Sequence, residues 1–70
     1  MPADLDTLTA AADLCDREAA KDNDPEMSNS LALVFRIAAT EIGDGYDSPL
    51  LGAIVAFAEH VVREIEEVPA

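Results

Sequence analysis

The side chains of this chain most often recruited as general acid, base or metal ligand are one histidine, one cysteine and fifteen carboxylates. His60 stands next to Glu59 and one helical turn before Glu64, the spacing at which a carboxylate can hold an imidazole. A zinc site takes three or four ligands, and His60 with Cys15 from a distant segment falls short of that set. His60 is therefore expected at the surface. Cys15 shares its side of a helix with Leu8 and Ala12, which predicts a small buried thiol and not a nucleophile.

In "DNDPE", Asp22, Asp24 and Glu26 alternate as the oxygen ligands of a calcium loop do. Met27 and Leu33 stand where such a loop needs its sixth-position glycine and twelfth-position glutamate, so an acidic turn is the expectation. "GDGYDS" reads as a hinge whose Tyr46 either folds back on the protein or stays out as an anchor for a partner. The sequence has no glycine-rich phosphate loop and no His-Glu-x-x-His helix. Any catalysis would fall to carboxylates on an acidic surface, ionised and poor as acids at neutral pH. The expectation is a protein that is not an enzyme, with no cofactor and no metal.

Fifteen acidic against four basic residues give a formal net charge of −11. Such a charge repels nucleic acid and anionic lipid and attracts a basic partner. The uncharged run Ser48–Ala58 is too short for a membrane span, which needs about 20 apolar residues. The start, "MPADLDTLTA", lacks the basic and apolar regions of a secretory signal, and an unpaired cysteine suits a reducing compartment. A cytoplasmic location without membrane contact follows as the expectation.

The elements that must position these groups are three helices, expected at about 5–21, 30–42 and 49–68 of a single helical domain. The first starts from an Asp4 or Asp6 cap and carries a narrow stripe of Leu5, Leu8, Ala12, Cys15 and Ala19, with Leu14 off the stripe. The second, capped by Asn29 or Ser30 and stopped by Gly43 and Gly45, is apolar around most of its girth, with Arg36 and Thr40 as its polar edge. Ser48 followed by Pro49 is the strongest local signal in the chain, a capping side chain and then the residue best suited to the first helical position. No segment alternates with the period of a strand, so the fold class is all-α, a small helical bundle.

A chain of 70 residues gains little from its own core, and 13 of its 35 hydrophobic residues are alanine. The girth of the second helix predicts a homodimer in which the second and third helices of two copies share a core, with the first helix outside. That core is expected from Leu31, Leu33, Val34, Phe35 and Ile37, and from Leu51, Ile54, Ala58, Val61 and Ile65. Binding of a further protein, one with a basic surface, is assigned to exposed Leu14 and Tyr46 and to Asp13, Asp16, Glu59 and Glu66.

The function class expected is a small acidic helical protein that binds or regulates another protein through an apolar patch with an acidic rim. A second reading makes it a nucleic-acid mimic, a polyanionic decoy for the DNA- or RNA-binding groove of a restriction or CRISPR component. That requires acids in extended rows, which Arg17 and Lys21 interrupt. A third reading is an acidic structural protein of a salt-adapted organism.

Overall fold

The computed structural model describes residues 2–66, with side chains for 4–65. Within them lie α1 (Pro2–Lys21), α2 (Glu26–Gly43) and α3 (Pro49–Glu66). These helices form a bundle, as the apolar periodicity predicts. The expected continuation of α3 to residue 68 lies outside the described residues.

Each connection is built by local chemistry. Ser48 caps α3: its Oγ accepts a hydrogen bond from the Leu51 N–H at 3.2 Å, satisfying one of the free amides of the first turn. At the other end of that loop, the Gly45 N–H donates to the Ile42 carbonyl and the Tyr46 N–H to the Glu41 carbonyl, both at 3.0 Å. This pair of bonds is a Schellman motif, and it requires a left-handed residue after the cap. Gly45 supplies it at φ 95°. In the turn after α1, the Asp24 N–H donates to Asp22 Oδ1 at 3.2 Å, so the Asp22 carboxylate holds the acidic turn.

Two helix starts differ from the expectation. α1 begins at Pro2, where a proline loses nothing because its absent N–H would have had no partner. α2 begins at Glu26, four residues before the expected Ser30, with Pro25 at the cap and no capping side chain. The Asn29 N–H already donates to the Pro25 carbonyl at 2.8 Å, so Asn29 and Ser30 lie inside the helix and cap nothing. The glutamate in the first turn suits the positive end of the helix dipole. This extension brings Met27 onto the helix.

The largest correction concerns Leu14 of α1. This helix packs against α2 most extensively and against α3 next, whereas α2 and α3 touch least. Within the single chain α1 is thus the helix that both others pack against. Its small residues explain this: Ala11 and Ala12 are fully buried and let two neighbours approach. Leu14, expected on the exposed side, is only 4% exposed, because two neighbours cover more of α1 than its narrow stripe. It is not available as a surface anchor.

The core joins Leu8, Ala11, Ala12 and Cys15 of α1 to Ala32, Phe35 and Ala38 of α2 and Ala58 and Val61 of α3. Among the described residues the largest fully buried side chains are Phe35 and Leu8. Five of those nine core residues are alanines. The Cα atoms extend 36 × 26 × 16 Å, a flattened arrangement.

Candidate interaction surface

α2 is held to α1 by charge on one side and is open on another. Arg36 Nη2 donates to Asp16 Oδ2 at 2.6 Å and to Asp13 Oδ1 at 3.2 Å, bridging two carboxylates one turn apart on α1. The hydrogen bond that Arg36 donates to Asp16, reinforced by the charges of Asp16 and Asp13, raises the Arg36 pKa above its ordinary value. All three side chains are half exposed, so this clamp fixes orientation more than it adds stability. Asp13 and Asp16, assigned from the sequence to a partner, are engaged within the chain.

At about 100° per residue, Val34 lies roughly 160° around α2 from Arg36, and so on the side away from α1. Met27, Leu33, Val34 and Ile37 occupy an arc of about 120° there, and all four are exposed, Ile37 at 54% and Leu33 at 60%. α3 continues the face with Leu50 and Phe57. Phe57 stands at the seam between the helices, its ring centroid 5.8 Å from that of buried Phe35, at a tilt of 49°.

The ten residues expected in a shared core therefore divide into three groups. Phe35, Ala58 and Val61 are buried in the chain's own core; Leu31, Leu51, Ile54 and Ile65 pack half-buried against it. Leu33, Val34 and Ile37 face solvent. Met27, Leu50 and Phe57 join these three on the face without having been singled out. The signal for Phe57 and Leu50 was their i, i+7 spacing on one side of α3, while Met27 was hidden by the late helix start assigned to α2.

Tyr46 is 62% exposed, so the sequence alternative in which it stays out is the one seen. It borders an open hollow of about 390 Å³ lined by Asp4, Asp47, Ile42, Leu51 and Val55. Glu59 is exposed on α3; the side chain of Glu66 lies outside those described. A second hollow, about 310 Å³, gathers Cys15, Glu18, Asp22, His60 and Glu64 around an apolar floor of Leu31, Val61 and Ile65. Burial, and then the negative charges of Asp16 and Glu18, push the Cys15 thiol pKa up, the opposite of what a nucleophile needs. Among the described residues no three His, Cys, Asp or Glu side chains converge to hold a metal ion. No helix described is long and apolar enough to cross a membrane.

No protein-family model matches the chain, and comparison with curated proteins and with solved structures gave no match.

Proposed function

We propose that this chain is a non-catalytic interaction protein that engages another protein through the apolar α2–α3 face, with its acids on the surrounding surface. One observation carries the reading: four large apolar side chains share one exposed arc of α2, with Leu50 and Phe57 exposed one above the other on α3, Phe57 beside Phe35, in a chain of net charge −11. Contiguous exposed apolar surface is costly in water and is characteristic of contact sites. A cytoplasmic setting goes with it, for which the unpaired, buried Cys15 is the support.

The decoy reading draws less support. Two of the carboxylates it would use on α1, Asp13 and Asp16, share the single positive charge of Arg36, and Glu18 pairs with Lys21 at 3.6 Å. The acid row is therefore broken where the first helix would have to present it.

Immobilised chain used to capture partners from extract of its own cells tests this reading. Retention at high salt, lost in Leu33→Asp and kept in Asp47→Asn, is the expected result. Capture abolished by modest salt and indifferent to Leu33→Asp would transfer the function to the charge.

A further inference from the structure

We infer that the occupant of the α2–α3 face is a second copy of this chain, related by a two-fold axis passing near Val34, so that α2 and α3 of both copies form a four-helix layer with each α1 outside. This rests on the reading of that face as an interaction surface and names its partner.

Area is the first argument. At their observed exposures, Met27, Leu33, Val34, Ile37, Leu50 and Phe57 present roughly 600 Å² of side-chain surface, at the top of the range for the largest apolar patch on a monomer. A standard interface buries about 800 Å² per partner. The face thus supplies most of what a stable dimer needs.

Charge chooses between a copy and a basic protein. From Met27 to Thr40, α2 carries a single charged residue, Arg36, which points to α1 and is engaged by Asp13 and Asp16. From Pro49 to Ala58, α3 carries none. A basic partner drawn by the net charge would find no carboxylate to pair with across the middle of this face. An uncharged apolar surface of the same size is its complement, and the chain itself carries one. Such a charge-depleted centre inside a charged rim is the composition of interface cores. Glu26 and Glu41 fall within the same angular arc but near the two ends of α2 along its axis, about two turns from Val34 on either side.

The chain's own core supplies the third argument. It contains two large fully buried side chains among the described residues, with alanines as the majority of the rest. A domain this small needs further burial to be stable, and doubling the chain across its open face provides it.

The test is sedimentation velocity on the untagged protein from low micromolar to submillimolar concentration, at low and high salt, with Ile37→Asp alongside. The expected mass is twice the 7.4 kDa of the chain, and association tightens with salt because two acidic copies repel through solvent. Ile37→Asp, which enters the interface twice, weakens the dimer by at least about 100-fold, with its helical circular dichroism intact. In a Cys15→Ala background, a short bismaleimide links copies through Val34→Cys and not through Thr9→Cys, which is exposed on α1. If Ile37→Asp does not fold, that comparison decides alone.

Monomer at every concentration overturns the proposal, as does a dimer that ignores Ile37→Asp and links equally through Thr9→Cys. A hydrophobic dye separates the two failures. A monomer that binds dye through a face sensitive to Ile37→Asp keeps the interaction reading and loses the second copy; a monomer that binds none loses both.

Discussion

Phe35 and Ile37 stand two residues apart on α2 and should respond to truncation in opposite ways. Phe35 is 0% exposed, and its removal to alanine deletes the largest side chain of the core and its ring contact with Phe57. Core Phe→Ala substitutions cost about 3–5 kcal/mol. A chain of 70 residues has a total stability of about 3.5–10 kcal/mol, so Phe35→Ala removes from a third of it to all of it. Ile37→Ala, at a site more than half exposed, changes the stability of the single chain by no more than about 0.5 kcal/mol. The assay is urea unfolding followed by helical circular dichroism, at protein concentrations where the midpoint no longer depends on concentration, so that self-association does not enter. Phe35→Leu, which keeps most of the volume, should lie between them, at about 1–1.5 kcal/mol. A Phe35→Ala cost below about 1 kcal/mol, or an Ile37→Ala cost equal to it, would mean that α2 is rotated differently and that the exposed face is misplaced.

Leu14→Ala should cost about 2–5 kcal/mol in the same unfolding experiment, where an exposed binding anchor would have cost nothing. Gly45→Ala should lose about 1–2 kcal/mol of stability, because its φ of 95° strains any L side chain although the space beside it is open. Gly52→Ala, inside α3 with nothing within 4 Å of the added carbon, should gain about 0.5–1 kcal/mol. Burial raises the Cys15 pKa above its usual 9.0, so the folded state holds that proton more tightly than the unfolded one. The stabilisation is complete below the unfolded value and is lost as pH rises from there through the folded value. Urea midpoints measured from neutral pH to well above pH 9 should fall more steeply for the parent than for Cys15→Ala.

What the sequence settled by itself was local. Ser48 and Pro49 mark the start of α3 because the capping bond spans only three residues, and Gly45 marks the end of α2 because the Schellman turn needs its positive φ. The helical class followed from apolar spacing, and the breadth of the apolar surface on α2 was visible as composition around its wheel. Tertiary packing decided the rest. Periodicity shows that α2 has apolar residues on most sides but not which side turns inward; contact with α1 places Phe35 inside and leaves Leu33 and Ile37 outside. The bond from Arg36 to Asp16 crosses 20 residues of chain, and no local spacing encodes it. The narrow stripe of α1 left Leu14 to one side, yet its alanines let both neighbours approach and take Leu14 into the interior. A wheel records the chemistry of one helix alone. Burial depends on where its neighbours stand, and that is fixed only when all three helices pack together.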